Sequence, residues 1–186
     1  MTINQQLLLK YVFLFVLFLY PTSTINASEI RQKSETIVRN HFGKDITLDF
    51  RKLDLKQEII KDIELKVGQR FFRNSLYTWK VTDNEGLLGY AILDNVLGKS
   101  LPITFLVIFH PDGTILSSSV VKYRESIGGE ISNWRWNQQF EGRNHESTFS
   151  LGKDIDGISG ATISVNAMTK GIQKLTILFE LIRESL

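Results

Sequence analysis

The stretch from Pro102 to Tyr123 constrains the fold of this chain more than any other part of it. It reads PITFLVIF, then HPDG, then TILSSSVVKY, so two strand-like runs flank a Pro-Asp-Gly turn. Proline sets φ at the first central position of such a turn and glycine accepts the left-handed position, so the pattern predicts a β-hairpin. Because ITFLVIF is apolar almost throughout, we expect its strand to lie at the centre of a sheet.

A second hairpin is expected upstream. The runs RFFRNSLYTWKVTD and LLGYAILDNV have strand character and flank a turn at residues 84–86. Two helices are expected before this hairpin. One covers residues 29–42, and the other opens with Asp54 as N-cap and Gln57 as its capping-box partner and ends at Gly68.

Two more helices are expected after the hairpins. SNWRWNQQFEG predicts a short helix capped by Ser132 and closed by Gly142. From about Ile163 to Leu186, apolar residues recur at spacings of three and four, which is typical of a helix that packs on a sheet. The elements together predict an α+β fold, an antiparallel sheet of about four to six strands with packed helices.

The first 27 residues differ from the rest of the chain. Lys10 precedes an apolar run from Tyr11 to Tyr20, and a polar segment follows as far as Ala27. This order is typical of a signal peptide cleaved after Ala27, and an uncleaved membrane anchor is the alternative. Either alternative exports residues 28–186, to the periplasm or to the extracytoplasmic face of the membrane.

Composition excludes several function classes. Leaving Lys10 aside, 21 basic residues stand against 20 acidic ones, so the exported part lacks the charge of a nucleic-acid binder. The chain has no cysteine, which excludes disulfides, iron–sulfur ligation and a cysteine nucleophile. Its three histidines lie far apart, and we expect no metal site. Electron transfer would therefore need an organic cofactor.

Residues 156–162, DGISGAT, carry the strongest chemical signal. They lie where the last helix is expected to begin, and a helix N-terminus has unsatisfied N–H groups that favour an anion such as phosphate. Gly157 and Gly160 permit positive φ, while Ser159, Thr162 and Ser164 supply hydroxyl groups. A plain helix cap with a turn is the alternative interpretation. A Walker motif is excluded, because it would need lysine where this chain has Ala161.

DGISGAT resembles the flavinylation motif of the FMN-binding domain family, Asp-Gly-x-Ser/Thr-Gly-Ala-Thr, at every defined position. That family includes the C subunit of the sodium-translocating NADH:quinone reductase and the G subunit of the Rnf complex. The resemblance implies that a dedicated flavinyltransferase, using FAD and magnesium, joins FMN to Thr162 through a phosphodiester. It also implies that Asp156 and Gly157 open the motif and that Ser159, Gly160 and Ala161 form its bend. Ser164 is expected to hydrogen-bond at the helix start.

The resemblance extends over about residues 88–175. LPITFLVIFHPDGTILSSSVVKYRESIGGEI and WNQQFEG are similar to the family's strand, acidic loop and aromatic segments. Glu125 corresponds to the family's glutamate, and Gly128 or Gly129 to its loop glycines. The chain departs from the family at residues 126–127, where Thr-Pro is usual, and at Leu101, where glycine is usual. We therefore expect residues 28–85 to hold N-terminal helices and a first strand, and residues 86–186 to form the FMN-binding domain.

Further side chains are weaker candidates for cofactor binding. Arg124 and Glu125 are interpreted either as flavin or phosphate contacts or as an exposed pair at a strand end. Trp134, Trp136 and Phe140 are interpreted mainly as packing residues, with stacking near the flavin as the alternative. Tyr90 and Lys122 are weaker candidates still. No residue is expected to be catalytic in the chain by itself.

These expectations describe an exported flavoprotein that relays electrons and does not turn over a small substrate. Its partners would be the flavinyltransferase and a membrane or periplasmic redox protein, because the sequence offers no second redox group. A secreted domain that binds FMN or another phosphate compound reversibly is the alternative. A true reductase would need acid–base residues that the sequence does not reveal.

Overall fold

A computed structural model describes residues 27–186 of the chain. The expected leader lies outside the described residues, apart from Ala27, where the first helix begins. Within residues 27–186, every helix is too short or too polar to cross a membrane.

A five-stranded antiparallel sheet forms the centre of the structure. Its strands are β1 (Thr47–Asp54), β2 (Ser75–Thr82), β3 (Leu87–Leu97), β4 (Pro102–Phe109) and β5 (Ile115–Lys122). They lie side by side in chain order, and each pairs antiparallel with the next. The expected α+β fold, an antiparallel sheet with packed helices, is confirmed.

The hairpin between β4 and β5 has the predicted turn. Gly113 has a φ of 96°, and its N–H donates to the carbonyl of His110 at 2.9 Å. Asp112 Oδ1 accepts a hydrogen bond from the backbone N–H of Thr114 at 2.8 Å. Residues 103–109 of β4 are all buried, as expected for a central strand. The turn joins β4 to β5, and the loop that follows β5 contributes residues to the candidate site described below.

Helices cover both faces of the sheet. The α-helices are α1 (Ala27–Phe42), α2 (Gln57–Val67), α3 (Trp134–Asn137) and α4 (Thr162–Ile182), and short 3-10 helices cover Gly129–Ser132, Gln138–Phe140 and Arg183–Ser185. Helix α1 packs with Trp79, Leu93 and Leu106 on one face. Helices α2 and α4 pack on the other face with Ile92 and Phe105.

Helix α4 lies unusually close to the sheet at Gly171. A Cβ at this position would lie 2.6 Å from Cγ1 of Val96 and 3.0 Å from the ring of Phe105. Both neighbours are buried, so neither has room to move aside. Glycine at position 171 therefore sets the distance between α4 and the sheet.

Two N-cap predictions were wrong, and one strand was missed. Asp54 is the last residue of β1, while α2 has Lys56 at its N-cap without a side-chain hydrogen bond. Residues 28–85 consequently contain two strands rather than one. Ser132 ends a 3-10 helix, and α3 is capped by Asn133, whose side chain accepts a hydrogen bond from the N–H of Arg135 at 3.0 Å. An amide oxygen can cap a helix as well as a hydroxyl can.

Candidate functional site

Helix α4 begins at Thr162 with no side-chain cap. Its N-cap residue is Ala161, and the first turn carries no acidic residue. The first hydrogen bond of the helical pattern is made by the N–H of Val165, which donates to the carbonyl of Ala161 at 2.9 Å. The N–H groups of residues 162–164 therefore lack acceptors within the helix, and they carry the positive end of its dipole. This helix start is suited to a phosphate group.

The bend before α4 exposes one hydroxyl and buries another. Gly160 has a φ of 78°, a left-handed conformation that glycine adopts without strain. The chain then turns so that Thr162 is exposed while Ala161 and Ser164 are buried. Of the motif's hydroxyl groups, those of Ser159 and Thr162 are accessible to another protein.

A cavity of about 280 Å³ opens beside Thr162. Three segments form it: the turn between β3 and β4, the loop after β5 and the first residues of α4. Its lining residues are Lys99, Glu125, Ile127, Gly160, Ala161, Thr162, Ile163 and Ser164. Lys99 supplies a cation, and Ile127 and Ile163 supply exposed apolar surface. The cavity therefore combines anion-binding groups with an apolar wall.

Glu125 connects two of these segments. Its Oε1 accepts hydrogen bonds from the N–H of Ser100 at 2.9 Å and from that of Leu101 at 3.2 Å. The hydrogen bond from Ser100, with smaller contributions from Leu101 and Lys99, holds the pKa of this carboxyl below its usual value. A Cβ at Gly98 would lie 2.5 Å from Oε1, so a larger residue there would displace this carboxylate. Glu125 thus acts on the shape of the cavity by holding the turn that carries Lys99.

Tyr123 holds the loop against the start of α4. Its hydroxyl donates to the carbonyl of Ile127 and lies 3.2 Å from Oγ of Ser164. Gly128 has a φ of 86°, and a Cβ there would lie 2.9 Å from Cβ of Ala161. The expectation that Ser164 hydrogen-bonds at the helix start is thus refined, because its described partner is Tyr123 and not the helix backbone.

The opening residues of the motif are fixed through their backbone. The carbonyl of Asp156 accepts a hydrogen bond from Nε1 of Trp136 at 2.9 Å, and its N–H donates to Oε1 of Gln139 at 2.6 Å. The Asp156 side chain is exposed, and so are Gly157 and Ser159. Open space surrounds the position of a Cβ at Gly157. Buried Trp136 therefore holds the start of the motif in place through this hydrogen bond. The other two aromatic candidates make no such contact: Trp134 is exposed, and Phe140 is fully buried.

Arg124 does not lie with the other candidates. Its Nη1 donates to the carbonyl of Pro102 at 2.8 Å and to Oγ1 of Thr104 at 2.9 Å, on the face of the sheet covered by α1. No ion pair joins Arg124 to Glu125 among residues 27–186. Tyr90 packs on Phe179 in the core, with ring centroids 5.5 Å apart. Lys122 lies at the end of β5, opposite Thr104.

Sequence reasoning missed four residues around Thr162, namely Lys99, Tyr123, Ile127 and Ile163. Lys99 belongs to a turn whose sequence, GKS, gives no sign that it faces a distant helix. Strand order explains the contact. Since β4 pairs with both β3 and β5, the turn before β4 meets the loop after β5 at one end of the sheet.

The residues present fit an FMN group. Its phosphate would find the N–H groups of α4 and the cation of Lys99, and its ring would find Ile127 and Ile163 as apolar neighbours. The cavity is slightly smaller than most small-molecule sites, which measure about 300 to 1,000 Å³. It would therefore enclose part of the cofactor and leave the remainder at the surface.

Comparison with known proteins identifies relatives of the region that contains Thr162. Residues 98–176 match the family model of the FMN-binding domain. The fold is similar to the crystal structure of NqrC from Shewanella oneidensis, with a TM-score of 0.60 and 15% sequence identity, over 86% of this chain and 98% of that one. A search of curated proteins found no match. Residues 98–176 are therefore similar to the FMN-binding domain family, and the chain shares the fold of NqrC.

Proposed function

We propose that this protein carries FMN joined to Thr162 and relays electrons on the extracytoplasmic side of a membrane. One observation carries the proposal. The exposed hydroxyl of Thr162 lines a cavity at a helix start that has three N–H groups without helical acceptors and no side-chain cap. Thr162 is also the final residue of the DGISGAT motif within the matched region.

Attachment would form one bond and break another. The Thr162 hydroxyl oxygen forms a bond to the FMN phosphorus of FAD, the pyrophosphate P–O bond breaks, and AMP leaves. The hydroxyl proton passes to a base on the flavinyltransferase, because threonine is a weak nucleophile without one. Gly157, Ser159 and Gly160, which precede Thr162 in the chain, are small and exposed, so they would hinder the approach of another enzyme's active site little.

This chain's own residues would bind and orient the cofactor. The backbone N–H groups of residues 162–164 and the Lys99 ammonium hold the phosphate, while Glu125 and Tyr123 fix the loop and turn around it. When bound, the flavin supplies the capacity to accept and donate electrons. Since the sequence holds no cysteine, a separate membrane or periplasmic redox protein would complete the relay.

Export is proposed from the leader-like residues 1–27. Covalent attachment is consistent with that location, because a flavin lost outside the cytoplasm is not easily replaced. Reversible binding of FMN or another phosphate compound at the same helix start is the second candidate. The groups that line the cavity, the start of α4 and Lys99, would also bind such a phosphate without a covalent bond.

The test is co-expression of the full chain with a flavinyltransferase, followed by denaturing electrophoresis and mass spectrometry of the motif peptide. We expect flavin fluorescence to travel with the chain and with Ser159→Ala and Ser164→Ala, and to be absent from Thr162→Ala. Label that persists in Thr162→Ala would contradict attachment at this residue. Yellow colour that leaves every variant on acid precipitation would favour reversible binding.

A further inference from the structure

A second cavity, of about 510 Å³, lies on the face of the sheet covered by α1. It is larger than the cavity at Thr162, shares no lining residue with it and falls within the usual size range of small-molecule sites. Its lining residues are Ala27, Ser28, Ile30, Arg31, Phe50, Arg73, Tyr77, Trp79, Leu93, Asn95, Thr104 and Arg124. These residues come from the start of α1, from β1 to β4, and from the segments before β2 and after β5.

The charges that line this cavity are all positive. Three arginines contribute to it, and no aspartate or glutamate does. Arg31 forms an ion pair with Glu35, which does not line the cavity; its Nε lies 2.8 Å from Oε1 of Glu35. Within residues 27–186, neither Arg73 nor Arg124 forms an ion pair. Two guanidinium groups therefore face the cavity region without a carboxylate to neutralise them.

Arg124 is held in place by neutral groups. Its Nη1 donates to the carbonyl of Pro102 and to Oγ1 of Thr104, and that hydroxyl in turn donates to Oδ1 of Asn95 at 2.7 Å. These contacts leave Nε and Nη2 of Arg124 and Nδ2 of Asn95 without partners among the described residues. Such donors suit a planar anionic group, because a guanidinium binds carboxylates and related oxyanions in a two-point geometry.

Aromatic rings form the adjacent wall. The ring of Phe50 stacks with that of Tyr77 at a centroid distance of 5.5 Å and an angle of 25°, and it lies 5.2 Å from the ring of Trp79. The guanidinium of Arg31 lies 3.8 Å above Phe50. The Trp79 indole is fixed by its Nε1, which donates to Glu35 at 3.2 Å. Arg31 covers one face of Phe50, so a flat apolar group would contact Tyr77 and the part of Phe50 that Arg31 leaves uncovered.

We propose that this cavity binds a small organic anion with a flat aromatic ring. The anionic group would contact Arg124 and Arg73, and the ring would lie against Phe50 and Tyr77. This site is independent of flavin attachment, because none of its residues lines the cavity at Thr162. If no anion binds here, the proposed function still stands.

The test uses the full chain in lipid nanodiscs, with empty nanodiscs as the blank, and isothermal titration calorimetry. Naphthalene-2-sulfonate is the probe. Its uncharged counterpart naphthalene-2-sulfonamide and the ringless anion methanesulfonate are the comparisons. We expect the probe to bind at one site and both comparisons to bind at least tenfold more weakly. Equal affinity for the sulfonamide would overturn the role of the arginines, and equal affinity for methanesulfonate would overturn the role of the rings.

Variants locate the binding. Arg73→Gln and Arg124→Gln should each weaken binding of the probe about tenfold or more, which is the loss expected for one hydrogen bond to a charged group. Arg135→Gln removes an exposed arginine elsewhere on the surface and should leave affinity unchanged. Because Arg73 is exposed, its variant tests the proposal even if Arg124→Gln fails to fold. Unchanged affinity in Arg73→Gln, or equal weakening in Arg135→Gln, would refute the site.

Discussion

The ammonium group of Lys174 lies 2.9 Å from Oδ2 of Asp94, and both side chains are almost completely buried. The pair joins α4 to β3 across the core. The ammonium also lies 4.3 Å from the ring centroid of Phe71 and donates to the carbonyl of Arg70 at 3.3 Å. Asp94 Oδ2 has no hydrogen bond among the described residues, so the contact with Lys174 is an ion pair without good hydrogen-bond alignment. Each charge depends on the other for its neutralisation.

Removing one partner of this pair should destabilise the protein strongly. We expect Lys174→Met to lower the free energy of unfolding by about 3 to 5 kcal/mol, because it leaves a buried carboxylate uncompensated. The double variant Lys174→Met/Asp94→Leu should recover most of the loss. Urea unfolding measures both. Lys66→Met is the matched control, since Lys66 forms an exposed pair with Asp62 at the same 2.9 Å and should cost at most about 0.5 kcal/mol. Equal losses in the two single variants would contradict the role of burial.

Protonation of Glu125 should change the backbone environment of the turn at Ser100 and Leu101. Its pKa lies below the ordinary carboxyl value of 4.5, so its hydrogen bonds to Ser100 and Leu101 persist above 4.5 and are lost as pH falls through the lower pKa. Amide chemical shifts of those two residues, measured by NMR, should follow this titration. The titration should disappear in Glu125→Gln and remain in Glu130→Gln, which changes an exposed glutamate nearby. A midpoint above 4.5 would contradict the contact.

Tyr123→Phe should loosen the loop beside Thr162. The hydroxyl bonds Ile127 and lies close to Ser164, and each such hydrogen bond contributes about 0.5 to 1.5 kcal/mol. We expect a loss of about 1 to 2 kcal/mol in urea unfolding. The control is Tyr90→Phe, because the Tyr90 hydroxyl has no side-chain hydrogen bond among the described residues. A loss in Tyr90→Phe as large as that in Tyr123→Phe would count against the assignment.

Gly171→Ala should destabilise the protein although alanine is the better helix former. Helix propensity favours alanine by about 1 kcal/mol, but its methyl group would collide with Val96 and Phe105. Overpacking of this kind costs about 1 to 3 kcal/mol, and the stiff β-branched and aromatic neighbours favour the upper part of that range. We expect a lower melting temperature by calorimetry. Gly129→Ala, whose methyl would meet only a ring carbon of Tyr123 at 3.9 Å, should change it little.

Elements with a strong local signal could be predicted from the sequence. The turn before β5 has residues whose φ preferences agree with the turn, and α4 has an apolar face of more than four turns. β1 could not be predicted, because its sequence, TLDFRKLD, alternates weakly and places Arg51 and Lys52 next to each other. Pairing with β2 supplies the missing stabilisation, since all eight of its residues have partners there. Asp54 was misassigned for the same reason, as its role depends on that pairing.

Only the part of the candidate site that is contiguous in sequence could be predicted. The motif around Thr162 is contiguous, so its place at a helix start could be inferred directly. Lys99 and Tyr123 reach the site through the order of the strands, which no local pattern encodes. Arg124 and Glu125 show the limit most clearly. They were considered together because they are neighbours, yet alternation along an extended chain sends consecutive side chains to opposite faces.

That alternation places two neighbouring side chains at two separate cavities. One peptide unit joins the arginine of the anion cavity to the glutamate that holds the turn at Thr162. The two cavities therefore share no side chain, although Arg124 and Glu125 are neighbours in the chain.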